Sequence, residues 1–149
     1  MDALDRKILA VLQKNARASL QEVGQAVGLS TSPCWERIRK MEQAGVIEGY
    51  TLRLNAPSLG WHDTVLVQVT LDSHSDNTLE KFGETLAAIP EVIEAYLVSG
   101  EYDYLLRVAV KDTRDYERLL RERLYKIKGI RHSKSSFVLR TLKKADLPL

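Results

Sequence analysis

The 149-residue sequence contains a single cysteine, Cys34, and only three histidines. One thiol excludes a disulfide framework within the chain, and a four-ligand zinc site would require Cys34 and all three histidines to converge. We therefore expect no metal centre. A lone cysteine also fits a reducing compartment, so the expected location is the cytoplasm.

Long hydrophobic runs are missing as well. The longest uninterrupted apolar stretch covers residues 8–12, which is far too short to span a bilayer. The N-terminal segment carries Asp2, Asp5, Arg6 and Lys7, and it lacks the basic start and apolar core of a signal peptide. Export and membrane insertion are disfavoured, and we expect no membrane partner.

The chain also has little net charge, with 22 Lys and Arg against 20 Asp and Glu, a formal charge of +2. The whole excess lies in residues 1–60, which hold eight basic and six acidic residues. A charge of this size does not by itself indicate nucleic-acid binding. Such an inference has to come from where individual residues lie on a helix.

Motifs of common enzyme classes are absent. There is no G-x-S-x-G, no G-x-G-x-x-G and no Walker phosphate loop. His62, His74 and His132 lack the spacing that places two metal ligands on one helix face, and we interpret them as surface residues. We expect no enzyme and no cofactor. The alternative is a small ferredoxin-like dimeric enzyme whose catalytic residues carry no motif.

Capping residues predict two helices at the start of the chain. Asp2 can cap the first helix, which should end near Asn15. Ser19 and Glu22 form a capping box, in which each side chain satisfies a free backbone donor at the start of the second helix. Gly28 suits the left-handed position that closes a helix.

A third helix follows almost at once, capped by Ser30 or by Ser32, and runs to about residue 44. Cys34, Ile38 and Met41 share one side of it, which leaves the opposite side free. Two tightly joined helices are typical of a helix-turn-helix, which presents its second helix to the DNA major groove. Packing of a helical hairpin alone is the alternative. The candidate DNA-binding residues are Ser30, Thr31, Ser32, Trp35, Glu36, Arg37, Arg39, Lys40 and Gln43.

Basic and polar side chains on this helix have different expected roles. Three cations can neutralise phosphates, while hydroxyl, amide and indole groups can hydrogen-bond or pack against base edges. Trp35 is the residue that a solvent-exposed helix explains least well, because a large ring on the outside of a short helix needs a partner.

The rest of the chain predicts strands and helices in alternation. Residues 46–54 are rich in strand-forming residues, and we predict a strand there that links two domains. From His62 onward the order is βαββαβ, a split βαβ unit, and the fold class is α+β. In the second helix of this unit the expected buried stripe includes Arg123. The predicted elements are strand 63–71, helix 77–89, strand 92–98, strand 103–110, helix 113–127 and strand 131–143.

Both faces of the predicted sheet carry apolar residues. Val65, Val67 and Val69 alternate with a second set that includes Leu66, and the strand at 103–110 repeats this pattern. A split βαβ unit buries only one sheet face under its helices. We infer that the other face pairs with a second copy, because large apolar patches are uncommon on monomers.

A second candidate site combines the hairpin at residues 99–104 with the hydroxyl-rich run at residues 133–136. A zwitterionic ligand needs an acceptor for its ammonium group and donors for its carboxylate. Asp103 can accept from the ammonium, and backbone amides near Gly100 or serine hydroxyls can donate to the carboxylate. The alternative is an ordinary turn and an edge strand. The candidate ligand-binding residues from this reasoning are Gly100, Asp103, Ser133, Ser135 and Ser136.

Several segments resemble the leucine-responsive regulatory protein/AsnC family, the feast/famine transcriptional regulators. They are residues 4–9 (LDRKIL), 27–34 (VGLSTSPC), 45–50 (GVIEGY), 99–106 (SGEYDYLL) and 128–130 (KGI), in the right order over nearly the whole chain. The resemblance implies an N-terminal (winged) helix-turn-helix domain at 1–48, a linker strand at 49–61 and a ferredoxin-like ligand-sensing domain at 62–149. It also implies homodimers that form larger assemblies, commonly octamers.

In that family, amino acids bind between dimers, with the hairpin of one chain facing the last strand of another. The resemblance therefore implies a regulator of double-stranded DNA whose amino-acid effector favours one arrangement of the helix-turn-helix pairs. Its effector positions would be Leu97, Gly100, Tyr102 and Asp103, opposed by Ser135 and Ser136. An amino-acid-binding subunit without DNA contact is a further alternative, which leaves the free face of the third helix unexplained.

Overall fold

The computed structural model of the chain describes residues 1–73, 76–145 and 147–148, which leaves His74 outside the described residues. The chain forms two compact units. One contains Met1–Leu54 together with Lys143–Leu149, and the other contains Asn55–Leu142. Within the first unit, Gln13 Nε2 donates to the Leu147 carbonyl at 3.1 Å, so Leu147, which the sequence predicts in the second domain, contacts the N-terminal segment.

Three helices make up the first unit: α1 (Ala3–Lys14), α2 (Leu20–Val27) and α3 (Thr31–Gln43). The predicted caps are confirmed, since Asp2 accepts from two backbone amides of α1 and Ser19 with Glu22 closes the start of α2. Gly28 ends α2 in the left-handed conformation, at φ 77°. Ser30 is the N-cap of α3, so the helix begins at Thr31, two residues earlier than a cap at Ser32 would place its start.

The core of this unit is small and comes from all three helices. Cys34 is fully buried within it, and burial raises the pKa of its thiol, as expected of a residue that packs as a small apolar group. The buried residues are Ile8, Leu12, Val23, Cys34, Ile38 and Met41.

Gly24 holds α2 against the turn that follows it. A Cβ atom at this position would lie 2.5 Å from the Leu29 carbonyl oxygen, a backbone atom that cannot rotate away. We expect Gly24→Ala to lower the free energy of unfolding by about 1–3 kcal/mol in urea titrations, because overpacking forces the backbone to shift. Gly49→Ala is the matched control, since nothing lies within 4 Å of its added Cβ. Equal stability of the two variants would contradict this close approach.

The second unit is a four-stranded antiparallel sheet with two helices. Its strands are β1 (Asp63–Leu71), β2 (Val92–Leu97), β3 (Tyr104–Val110) and β4 (Ile130–Phe137), in the order β2-β3-β1-β4. The helices are α4 (Asp76–Ala87) and α5 (Thr113–Glu122). The element order confirms the predicted βαββαβ unit and the α+β class.

One face of the sheet is buried beneath the helices. Alternate residues of β1 and β3 are 3% exposed or less, and the two strands pair in register from Asp63 with Val110 to Val69 with Tyr104. On the opposite face, Leu66, Gln68, Leu105 and Arg107 remain partly exposed. The buried side chains of the two strands are Val65, Val67, Val69, Leu71, Tyr104, Leu106, Val108 and Val110.

Three predicted elements differ from the structure. α5 ends at Glu122, and Leu124 enters the core while Arg123 stays exposed, because a long cation has no partner there. β4 ends at Phe137 instead of residue 143. The Val138 amide still donates to the Thr64 carbonyl at 2.9 Å, but β1 begins at Asp63, so it offers no partner to most of the remaining predicted residues. Residues 46–54 form no strand, since none of the described residues pairs with them. No helix in the described part of the chain is long and apolar enough to cross a membrane.

Candidate functional site

The outer face of α3 is the first candidate site. Each member of this face has another member three or four residues away, so together they form one stripe opposite the buried side. Trp35 is 46% exposed, and the Arg39 guanidinium carbon lies 5.0 Å from the centre of its ring. This distance is that of a cation–π contact, so the Arg39 guanidinium group lies beside the Trp35 ring on the helix surface. The exposed residues of the stripe are Ser32, Trp35, Glu36, Arg39, Lys40 and Gln43.

The start of α3 presents hydroxyl groups and backbone donors. Ser30 and Thr31 are exposed, and the Ser30 side chain forms no capping hydrogen bond. Backbone N–H groups at the start of a helix, together with the helix dipole, attract anions such as phosphate. The first turn of α3 thus has the chemistry of a phosphate contact next to the exposed stripe.

Arg37 lies at the edge of the exposed stripe, near Lys40, and its side chain is only partly exposed. Its Nη1 atom donates to Asp2 Oδ2 and to Asp5 Oδ1, both at 2.7 Å. Its position between Cys34 and Ile38 and its half-buried side chain place it on the flank of the helix core. The guanidinium group therefore already neutralises two carboxylates of α1.

The pKa values of these groups follow from the same contacts. The backbone N–H of Asp5, together with the Arg37 guanidinium, lowers the pKa of Asp2 from 3.8 to about 2. The Asp2 amide and then Arg37 likewise lower the pKa of Asp5, and the two carboxylates raise the pKa of Arg37. All three groups are therefore charged at neutral pH.

The loop between β2 and β3 is the second candidate site. Gly100 has φ 130°, a conformation that disfavours other residues, and Tyr102 is half-buried. Asp103 is fixed firmly, because its Oδ2 atom accepts from the Leu71 amide at 2.7 Å and its own amide donates to Val69 at 2.9 Å. Its carboxylate therefore has a defined position at the end of β1.

The proposed partners of this loop lie across the sheet. One row of paired residues runs from Leu97 through Tyr104 and Val69 to Ser133, from the β2 edge to the β4 edge. Three strand spacings separate these edges by about 14 Å. A single chain therefore does not bring Leu97 and the serines of β4 into one pocket, and a ligand that contacts both needs two copies of the chain.

The three serines also face different ways. Ser133 and Ser135 pair with Val69 and Val67 and lie on the helix-covered face, where the hydroxyl groups of Ser135 and Tyr116 share a hydrogen bond. Ser136 pairs with Leu66 and lies on the opposite face. The predicted group of serines is therefore split, and Ser136 cannot contact the same small ligand from the same face as Ser135.

A groove beside this site was not found from the sequence. It has a volume of about 470 Å³ and lies between α4 and β2, with Tyr104 in contact with Gly83 at its base. Small residues at Gly83 and Ala87, one helical turn apart, were the available signal. Among the described residues, no group of histidine, cysteine or acidic side chains is placed to hold a metal ion.

Comparisons with known protein families cover both units. A family profile described as the Lrp/AsnC ligand binding domain matches residues 64–148. A second profile, described as the AsnC-type helix-turn-helix domain, matches residues 1–42. The leucine-responsive regulatory protein of Klebsiella pneumoniae is 38% identical over 146 residues, which cover 98% of this chain and 89% of that protein.

Solved structures are similar over nearly the whole chain. An AsnC family transcriptional regulator from Agrobacterium tumefaciens superposes with a TM-score of 0.94 at 41% identity, covering 99% of this chain and 97% of that one. A transcriptional regulator from Neisseria meningitidis, solved as a complex with L-Met, gives 0.93 at 32% identity, covering 99% and 96%. Both units of the chain therefore superpose on single regulator chains that contain the same two domains in the same order.

Proposed function

The chain belongs to the Lrp/AsnC family of transcriptional regulators, and from this premise we propose that it binds specific DNA sequences and that an amino-acid effector controls its assembly and DNA affinity. Members of the family regulate transcription and are not enzymes, so the dimeric-enzyme alternative is wrong. The proposal places the protein in the cytoplasm, where bacterial DNA is found.

The DNA interface in this proposal is the outer face of α3. Arg39 and Lys40 contact phosphates, and Trp35 packs against base edges in the major groove. The hydroxyls of Ser30, Thr31 and Ser32 and the first-turn amides bind the neighbouring phosphates, and Gln43 reaches the groove one turn further on. Glu36 accepts from a cytosine amino group or keeps Lys40 oriented. The observation that carries this role is the exposed Trp35 ring stacked under Arg39 on the second helix of the motif.

The proposed effector is an amino acid with an apolar side chain. The Neisseria relative has been solved with L-Met, and the apolar groove beside Leu97 suits such a side chain. Asp103 accepts from the ammonium group, and the backbone of Gly100 with the hydroxyl of Tyr102 binds the carboxylate. Ser133 and Ser135 of a second copy close the site from the opposite sheet edge, while Ser136 lies at the face where two sheets pack.

Regulation then follows from shared contacts. A ligand held by two copies stabilises one arrangement of those copies, and hence one spacing of their α3 helices. Spaced sites on DNA are bound more tightly by the assembly whose spacing they match. We propose a homodimer that assembles to an octamer. By linkage, DNA must change the affinity for the effector by the same factor.

Fluorescence anisotropy with and without each of the twenty L-amino acids tests the proposal. The probe is a labelled duplex selected from a random library by the wild-type protein. We expect one group of apolar amino acids, methionine among them, to change the apparent DNA affinity by about 5- to 150-fold at saturation. A protein that binds a scrambled duplex equally well contradicts sequence-specific binding. Specific binding without any response contradicts the effector role alone.

A further inference from the structure

Arg37 closes a network that joins α3 to the first residues of α1. Asp2 Oδ1 accepts from the amides of Leu4 and Asp5, while Asp5 Oδ2 accepts from the amide of Asp2. The other carboxylate oxygen of each residue accepts from Arg37 at 2.7 Å. Every carboxylate oxygen of this capping box is thus used, and Arg37 is the member that belongs to a different helix.

The network lies on the flank of α3 between its buried side and its exposed stripe, where Asp2, Asp5 and Arg37 line one surface pocket with Glu36 and Lys40 of that stripe. Arg37 shares the spacing of Cys34, Ile38 and Met41, which are all buried. The side chain of Asp5 is only 14% exposed, so its ion pair with Arg37 is better shielded from water than an ordinary surface pair. The contact therefore restrains rotation of α3 about its own axis.

We propose that Arg37 is a positioning residue for DNA recognition: its bridge to Asp2 and Asp5 sets the rotation of α3 and thereby the direction of Trp35 and Gln43, the two side chains proposed to reach the bases. The inference rests on the proposed DNA-binding function of α3. Base contacts in the major groove depend on this rotation, because bidentate hydrogen bonds require narrow geometry. Phosphate contacts tolerate a change in the rotation of α3, because Lys and Arg side chains are long and flexible.

The Asp5→Asn variant distinguishes this role from a direct phosphate contact of Arg37, because the two roles predict opposite changes in DNA affinity. In the positioning role, loss of the carboxylate charge frees α3 to rotate. The affinity for the selected duplex then falls about tenfold, while the affinity for a scrambled duplex of equal composition stays the same. If Arg37 instead binds phosphate, removal of a competing carboxylate raises the affinity for both duplexes. That result would overturn the proposal.

Three controls sharpen the test. Glu48→Gln removes the same charge from an exposed position in this unit and corrects for general electrostatic effects. Arg37→Lys keeps the charge but cannot bridge two carboxylates with one rigid group, so we expect partial loss of discrimination, and Arg37→Gln should lose more. Thermal unfolding of each variant verifies that the affinities are measured on folded protein.

The outcomes distinguish this inference from its premise. A wild-type protein that selects no duplex overturns the proposed function and the positioning role with it. A wild type that discriminates, with Asp5→Asn and Arg37→Gln variants that discriminate equally well, overturns the positioning role alone. Loss of discrimination with an unchanged dependence of affinity on salt supports it.

Discussion

Replacing Arg39 and Lys40 together by alanine is expected to lower the affinity for DNA about tenfold or more relative to the wild type, at salt concentrations of about 50 to 200 mM. Both side chains are exposed on α3, so the substitution removes no buried contact. Each lost phosphate contact lowers the slope of log affinity against log salt concentration by about 1 for every bound chain. Anisotropy titrations at several salt concentrations measure both quantities.

The matched control for this variant removes two charges from the other unit. Lys126 and Lys128 are exposed in Asn55–Leu142, and their replacement by alanine gives the same net charge as the Arg39 and Lys40 variant. We expect this control to keep most of its affinity and its slope. A slope that is unchanged in the Arg39 and Lys40 variant would exclude α3 from the DNA interface.

The helix ends of the N-terminal unit were predictable because neighbours in sequence decide them. Asp2, Ser19 with Glu22, and Gly28 act within three residues of the backbone groups they satisfy, and each has the predicted role. The extents of β1 and β3 also agree within a residue, because alternation marks a half-buried strand. Local rules therefore sufficed to find the helix pair that presents α3.

Contacts between residues that are distant in the sequence could not be predicted from such local rules. Asp2 lies 35 residues before Arg37, so a pattern-based assignment treated that arginine as one more cation of the free face. Helical spacing held a partial signal, since Arg37 falls among Cys34, Ile38 and Met41. Its partners follow only from how α1 packs against α3.

In the proposed effector site, too, some features were predictable from the sequence and others were not. Alternation already places Ser135 and Ser136 on opposite faces, but which of them faces the helices depends on the register with β1. Strand order sets the separation of Leu97 from the serines, and a single sequence does not determine strand order. Residues 46–54 have strand-forming composition and yet form no strand, because hydrogen-bonded pairing depends on a neighbour as well as on propensity.

Effector response is expected to be lost in Asp103→Asn while DNA binding is retained. The amide oxygen of asparagine can still accept from the Leu71 amide, so the end of β1 keeps its hydrogen bond. What is lost is the negative charge that our proposal places opposite the ammonium group of the effector. A charge-assisted hydrogen bond contributes about 1.5–3 kcal/mol, so the dissociation constant of the effector should rise roughly 10- to 150-fold.

Titration calorimetry with the most effective amino acid measures this change directly, and anisotropy without effector verifies DNA binding. Asp63→Asn is the matched control, because it removes the same charge from the opposite end of β1. Asp103→Ala should cost stability as well, since it leaves the Leu71 amide without its carboxylate partner. Wild-type effector affinity in Asp103→Asn would show that the ammonium group binds elsewhere. If Asp103→Asn and Asp63→Asn both lose effector affinity, the overall charge of the domain is responsible. Only a loss confined to Asp103→Asn assigns the ammonium contact to the Asp103 carboxylate.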